Sequence, residues 1–346
     1  MERERVAAHL AAWGEPAFRL GQIVQAQAAG ARSWDEVTTL PRALRARLGE
    51  HGPLWGVMPD ARLVSRDGTV KWRLALPDGP VVEAVLIAHA AGRRTLCVSS
   101  QAGCALGCRF CATGTMGPGR DLTAWEIVEQ ALLARLEAER AGARLSNVVF
   151  MGMGEPMKNL DAVLAACAEM NRGAGLGISA RAIAISTAGW VPGIAALAEH
   201  PLPVRLAVSL HAADDATRSR LMPVNNRYPV ANLMAACRRY CDRTGRRVFV
   251  EYLLLEGVND APADAARLAG LLRDGRFHVN LIEYNPTAPD PRAGGRIAPE
   301  RFRGSSPERR RAFMDALARA GIAASLRRSR GADVDAACGQ LAARGA

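Results

Sequence analysis

The chain contains no hydrophobic run that approaches the roughly 20 residues needed to cross a bilayer. Its first residues, Met1 to Arg5, lead into an amphipathic stretch without the apolar core of a signal peptide. Aromatic residues make up only 5% of the 346 positions, which disfavours a platform of base-stacking rings across an open sheet. We therefore expect a cytoplasmic protein without a membrane partner.

Lysine is nearly missing as well, since only Lys71 and Lys158 are lysines among the 45 basic residues. The net charge of +11 favours a polyanionic partner such as RNA or DNA, because each phosphate contact releases counterions. A hydrophobic content of 49% excludes wholesale disorder. The sequence thus predicts a basic globular protein with a sizeable core.

Hydrophobic periodicity divides the chain into four parts. Residues 1–60 have helical spacing and form a predicted helical RNA-recognition domain, and residues 61–94 predict a β-hairpin and a third strand as a connector. Residues 95–328 alternate short apolar strands with helices, and residues 329–346 form a C-terminal tail. The predicted strands are Leu96–Ser99, Val148–Met151, Ala182–Ser186, Arg205–Ser209, Val248–Leu254 and His278–Tyr284, with a last one at Ala323–Arg328. Six strand–helix units predict an α/β fold with a partial (β/α)6 barrel, whose site lies at the carboxyl ends of the strands.

Three of the eight cysteines lie within eight residues, as Cys104, Cys108 and Cys111. Buried core cysteines and a structural zinc site are two interpretations, but zinc usually takes four ligands and no fourth Cys or His is nearby. The third interpretation is a four-iron cluster held by the three cysteines. Such a cluster leaves one iron open to the amino and carboxylate groups of S-adenosylmethionine (SAM). This C-x3-C-x2-C run resembles the signature of the radical-SAM superfamily, whose fold is also a partial barrel.

A second motif follows the second predicted strand of the barrel. Gly154, Glu155 and Pro156 are similar to the element that holds the SAM ammonium group in this superfamily. Glycine lets the backbone approach a ligand closely, and a carboxylate suits a cation. Without the cysteine run the same tripeptide would predict only a turn.

Longer motifs resemble the RlmN/Cfr family of radical-SAM RNA methyltransferases. They are residues 97–104, 151–156, 209–212 and 330–341, in the same order along the chain. The resemblance implies methylation of an adenine carbon, C2 in RlmN and C8 in Cfr, with a [4Fe-4S] cluster and two SAM molecules per turnover. One SAM methylates a cysteine and a second supplies the radical that joins this methyl carbon to the base. The implied partners are 23S rRNA, in some members tRNA, and an electron donor such as flavodoxin or ferredoxin.

The same resemblance assigns roles to residues outside the cysteine run. Cys338 would carry the methyl group, Cys97 would resolve the covalent RNA adduct through a disulfide, and Glu83 would accept a proton. The implied SAM contacts are Gly154, Glu155, Ser186, Ser209, Leu210, His211 and Asn285. His211 has a second interpretation, as a histidine whose hydrogen bonds are satisfied at the end of a strand. Cys167, Cys237 and Cys241 are interpreted as core residues.

Three hypotheses remain open at this stage. They are C2 methylation, C8 methylation, and a radical-SAM activase that modifies a protein; the last has no need of a methyl-carrying cysteine. The segment Thr287–Ser306, with Arg292, Arg296, Arg301 and Arg303, is either an additional RNA contact or a solvated insertion.

Overall fold

The computed structural model describes residues 3–89, 92–172, 176–287 and 302–342. In these ranges ten strands form one sheet in sequential order, from β1 to β10. Strands β1 to β4 pair antiparallel, and β4 to β10 pair parallel. The strands are β1 Met58–Val64, β2 Val70–Ala75, β3 Val81–Ala88, β4 Arg93–Cys97, β5 Arg144–Phe150, β6 Ile183–Thr187, β7 Arg205–Ser209, β8 Val248–Leu254, β9 Phe277–Glu283 and β10 Ala324–Arg327.

The described ranges also contain eleven α-helices. They are α1 Arg3–Ala12, α2 Phe18–Ala29, α3 Arg42–Glu50, α4 Ala112–Met116, α5 Ala124–Arg140, α6 Leu160–Arg172, α7 Val191–Glu199, α8 Asp215–Leu221, α9 Val230–Thr244, α10 Pro262–Leu272 and α11 Pro307–Arg319. Helix α5 begins with a capping box, in which the Thr123 hydroxyl accepts from the Glu126 backbone and the Glu126 carboxylate accepts from the Thr123 backbone. None of the helices in the described residues is long and apolar enough to cross a membrane.

The partial barrel predicted from periodicity is confirmed. Each parallel strand from β4 to β9 is followed by helical structure on the way to the next strand, and β10 extends the sheet at its far edge. The first barrel strand differs from the prediction, because β4 ends at Cys97 rather than at Ser99. The Ser99 backbone N–H donates instead to the Gln130 side chain at 3.0 Å, so the chain leaves the sheet there.

The N-terminal helices pack on the barrel through helix α5. Glu129 of α5 is fully buried and accepts from the Gly56 and Val57 backbone at 2.6 and 2.9 Å and from the Gln27 side chain at 2.9 Å. One continuous apolar cluster includes Val6 of α1 and Leu341 of the tail. The division into four parts therefore stays a prediction. Arg292, Arg296 and Arg301 lie outside the described residues.

Candidate active site

A cavity of about 440 Å³ lies between the barrel strands and the C-terminal tail. Its wall includes Cys97 from the end of β4, Cys338 from the tail, and Asn285 from the turn after β9. The Asn285 side chain donates to the Cys338 carbonyl oxygen at 3.3 Å. Residues far apart in the sequence are thus brought together on one wall, including both cysteines with predicted catalytic roles.

The three clustered cysteines lie on the loop between β4 and α4, which we call the cluster loop (residues 98–111). The loop is closed by backbone hydrogen bonds, from Ala102 N to Arg120 O at 2.9 Å and from Cys104 N to Gly117 O at 2.8 Å. A Cβ added at Gly119 would lie 2.1 Å from the Ala102 carbonyl oxygen, so two backbone segments cross here without room for a side chain.

Burial raises the pKa of all three cluster-loop thiols, to about 12 for Cys104. The neighbouring Cys104 and Cys111 raise the pKa of Cys108 further, while backbone N–H groups of Thr113 and Gly114 counter the effect of burial at Cys111. A thiol whose pKa is raised by burial becomes a good ligand once it loses its proton and a bound cation compensates the charge of the thiolate. The loop therefore supplies three soft donors in a closed backbone frame, which fits an iron–sulfur cluster.

The same thiols fit a single zinc ion poorly. Sulfur ligands of zinc lie about 3.8 Å apart, because the Zn–S bonds are about 2.3 Å long and tetrahedral. No group of three His, Cys, Asp or Glu side chains in the described ranges is placed to hold one metal ion. A four-iron cluster takes each cysteine on a different iron, so it does not require the three sulfur atoms to meet at one ion.

The C-terminal tail folds back over the cluster loop, as the role assigned to Cys338 requires. The Gly339 carbonyl accepts from Ala112 N at 2.8 Å, and the Leu341 carbonyl accepts from the Thr113 hydroxyl at 2.5 Å. Cys338 lines the cavity, and although the residue as a whole is exposed, burial of its thiol raises the pKa to about 12. The charges of Glu251 and Cys111 raise this pKa further. Burial and then the Cys338 charge raise the pKa of Cys97. All eight cysteines are free thiols.

Glu83 lies on β3 and does not line the cavity that holds the two cysteines. It borders a smaller cavity of about 310 Å³ with Lys71 and Ala342. One carboxylate oxygen is 3.1 Å from the Lys71 Nζ, and the other accepts from the Ala342 backbone at 2.9 Å. Lys71 also donates to the Asp335 carbonyl at 3.1 Å. This buried ion pair therefore holds the end of the tail.

Glu155 joins the ends of two neighbouring strands. Its carboxylate accepts from Met157 N at 3.0 Å and from Ala188 N at 2.7 Å, and its own N–H donates to the Gln101 side chain at 2.7 Å. Burial raises the pKa of Glu155 to about 6, although these N–H donors oppose the shift. Gly154 has φ +99°, and a Cβ there would lie 2.5 Å from Gln101, so no other residue fits this turn.

The other predicted SAM contacts lie where parallel strands end, which places them at one edge of the sheet. Ser186 is on β6, Ser209 ends β7, Leu210 and His211 follow β7, and Asn285 follows β9. Of this set only Asn285 is among the described residues that line the cavity. His211 is buried, its Nδ1 accepts from Leu253 N at 3.0 Å, and its ring stands edge-on to Phe110 with centroids 4.8 Å apart.

The sequence analysis missed two residues of this region. Arg218 is completely buried and donates to the carbonyls of Ala188, Ser209 and Leu210, so it fastens the turns after β6 and β7. It carries no distinguishing signal in a chain so rich in arginine. Glu251 lines the cavity, is buried, and accepts from the Asn280 side chain at 2.7 Å. A carboxylate inside the apolar strand β8 was the signal that could have identified it.

The remaining cysteines agree with their interpretation as core residues. Cys167, Cys237 and Cys241 are buried members of the main apolar cluster. Burial raises the pKa of Cys237 to about 12, and the neighbouring Cys241 raises it further. None of these three cysteines is among the described residues that line the cavity.

Residues 98–269 match the model of the radical SAM superfamily. This range contains the cluster loop and the Gly154–Glu155 turn. A [4Fe-4S] cluster and SAM are accordingly the cofactors of this protein, and Cys104, Cys108 and Cys111 are the residues that fit the cluster.

Curated relatives and a solved structure resemble nearly the whole chain. The "Probable dual-specificity RNA methyltransferase RlmN" of Heliobacterium modesticaldum is 47% identical over 98% of this chain and 87% of its own length. The "Dual-specificity RNA methyltransferase RlmN" of Anaeromyxobacter sp. is 46% identical over 99% of this chain and 89% of its own. A crystal structure of a radical SAM methyltransferase from Sphaerobacter thermophilus superposes with a TM-score of 0.91 at 45% identity, over 99% of this chain and 98% of that one. With identity this high over so much of its length, the chain belongs to the RlmN family of radical-SAM RNA methyltransferases.

Proposed function

We propose that this protein methylates C2 of an adenine in 23S rRNA, and the adenine after the tRNA anticodon, by way of a methylated Cys338. The observation that carries the proposal is the single cavity shared by Cys97 and Cys338 beside the cluster loop. Relatives named as dual-specificity RNA methyltransferases support RNA as the substrate class. The net charge of +11 agrees with a polyanionic substrate.

The bound cofactors supply one-electron chemistry and hydrogen-atom abstraction, which the carbon C2 of adenine requires because it is not nucleophilic. The protein itself supplies two thiols. The thiol of Cys338 reacts with SAM, and the thiol of Cys97 reacts later, when the RNA adduct is resolved. Cys338 lines the cavity, and its carbonyl oxygen accepts from Asn285 in the turn after β9, which supports its assignment as the thiol that receives the methyl group. Cys97 stays protonated because burial and the charge of Cys338 raise its pKa. Such a thiol remains available for the later resolving step.

The remaining polar groups position these thiols and move a proton. Arg327 lowers the pKa of Cys338, against the larger effects of burial and of Glu251. We assign proton acceptance to Glu83, whose carboxylate lies between Lys71 and the end of the tail. We assign Gly154, Glu155, Ser186, Ser209, Leu210, His211 and Asn285 to the binding of SAM. The proposed compartment is the cytoplasm, with an electron donor such as flavodoxin or ferredoxin.

Replacement of Cys97 tests the function directly. In Cys97→Ala the methyl carbon can still be joined to the base, but the thiol that breaks the adduct is gone. Protein purified from cells should therefore carry RNA that survives denaturation, with turnover abolished. The Cys97→Ala/Cys338→Ala double variant should carry none, because it cannot form the adduct.

Cys237→Ala is the matched control, since Cys237 is a buried cysteine of α9 outside the cavity. It should trap no RNA and should methylate normally. Mass spectrometry of the modified nucleoside distinguishes C2 from C8 methylation. Normal turnover of Cys97→Ala without trapped RNA would contradict the proposal.

A further inference from the structure

The wall of the active-site cavity includes five exposed arginines, which we call the arginine rim. Arg93 and Arg205 are the first residues of β4 and β7. Arg327, Arg328 and Arg330 lie where the chain leaves β10 and crosses toward the β1–β2 hairpin. At about 3.3 Å per residue, the backbone of Arg93 is about 13 Å from that of Cys97 along the same strand. Exposed basic side chains thus share the cavity wall with both cysteines.

Few carboxylates pair with the arginines of the rim. Some arginines elsewhere have a close carboxylate partner, such as Arg243 with Glu199 at 2.8 Å and Arg310 with Glu283 at 2.8 Å. Among the ion pairs of the described residues, the rim takes part in one, between Arg330 and Asp67 at 3.9 Å. Within the described residues, most of the positive charge of the rim therefore has no carboxylate partner.

Two other residues of the cavity wall, His89 and Glu251, lie close enough to the rim for its charges to act on them. Burial lowers the pKa of His89, another residue of the cavity wall, and the charges of Arg93, Arg330 and Arg327 lower it further. Glu251 is the one carboxylate on the described part of the wall, and it is buried and hydrogen-bonded to Asn280. Burial raises the pKa of Glu251, and the Asn280 hydrogen bond and the charge of Arg327 lower it.

We propose that the arginine rim binds the phosphates on either side of the target adenine, so that the base enters the cavity toward Cys338 while the RNA backbone stays outside, against the arginines. This inference rests on the proposed function. Enzymes that act on a base take it out of its stack into a pocket, and pockets of 300–1,000 Å³ are typical for small ligands. Arginine offers a planar fork of donors that matches phosphate. The electrostatic repulsion within a cluster of like charges falls when a polyanion binds.

The test is the salt dependence of RNA binding by Arg93→Gln/Arg205→Gln, with a 23S rRNA fragment that contains the target adenine. Each lost contact to a single-stranded phosphate lowers the slope of log K against log[salt] by about 0.7, so the double variant should lose about 1.4. Its KM for RNA should rise while its kcat is retained. Transfer of a methyl group to Cys338, measured by mass spectrometry without RNA, should be unchanged.

Arg239→Gln/Arg311→Gln is the control of equal net charge, because both residues are exposed on the outer helices α9 and α11. It should keep the slope and the KM of the unaltered protein. If the rim variant instead matches this control in slope and affinity, the rim does not bind the RNA. If the unaltered protein binds the fragment without methylating it, the proposed function fails, and the slopes still decide the role of the rim.

Discussion

His211 has a backbone φ of +58°, a conformation that few residues other than glycine, asparagine and aspartate adopt readily. Its Nδ1 accepts from the Leu253 backbone, which leaves the proton of the neutral ring on Nε2. Burial, and secondarily Arg218, lowers the pKa of His211 to about 3. The residue is therefore a neutral donor at physiological pH, fixed between the end of β7 and the cluster loop.

His211→Asn should remove part of the acid sensitivity of the fold. Below its ordinary pKa of about 6.5 the histidine gains a proton in the unfolded chain but not in the folded one, so stability falls as the pH falls from 6.5 toward 3. Asparagine accepts the same φ, offers Oδ1 to Leu253, and does not titrate. Between pH 6.5 and 5 the unfolding free energy of the variant should improve by about 2 kcal/mol relative to the original protein. Urea unfolding at a series of pH values measures this, and a difference independent of pH would contradict it.

At the scale of elements, the cluster loop depends on the close crossing of two backbone segments. Gly119→Ala would place a methyl group against the Ala102 carbonyl, and the backbone must shift at a cost of about 1–3 kcal/mol. We expect less iron per chain after anaerobic reconstitution. Gly270→Ala is the control, because nothing lies near that position and alanine favours helix by up to about 1 kcal/mol. Equal iron content in the two variants would show that the crossing is unimportant for the cluster.

Most helices and strands were predictable, because the hydrophobic period of each segment and the residues that mark its ends indicate the same element. Thr123 and Glu126 mark the start of α5, and the pattern of β8 matches Val248–Leu254 in full. The short helices α4 and α8 were not predicted, since five and seven residues are too few to show a period. The role of the three cluster-loop cysteines as ligands stays a prediction, made from their spacing. The hydrogen bonds that Arg218 and Lys71 donate to backbone carbonyls were not predicted, because no local sequence pattern encodes them.

At the scale of the whole molecule, Glu129 connects the N-terminal helices to the barrel. Glu129→Ala leaves three buried donors without an acceptor, at about 1–3 kcal/mol each. Hydrogen exchange in α2 should accelerate and RNA methylation should fall, while SAM cleavage by the barrel persists. Glu139→Ala, an exposed position on the same helix, should change neither. Equal loss of SAM cleavage and RNA methylation would mean that the helices support the barrel itself.

The hydrogen bond between Thr113 and Leu341 joins positions 228 residues apart, and it holds the tail against the start of α4, directly after the cluster loop. Ribosomes make the chain from its amino end, so the three cysteines leave the ribosome long before their cover exists. Throughout that interval the loop is open to whatever delivers iron and sulfide. We therefore expect the cluster to be inserted more readily before the tail has packed than after.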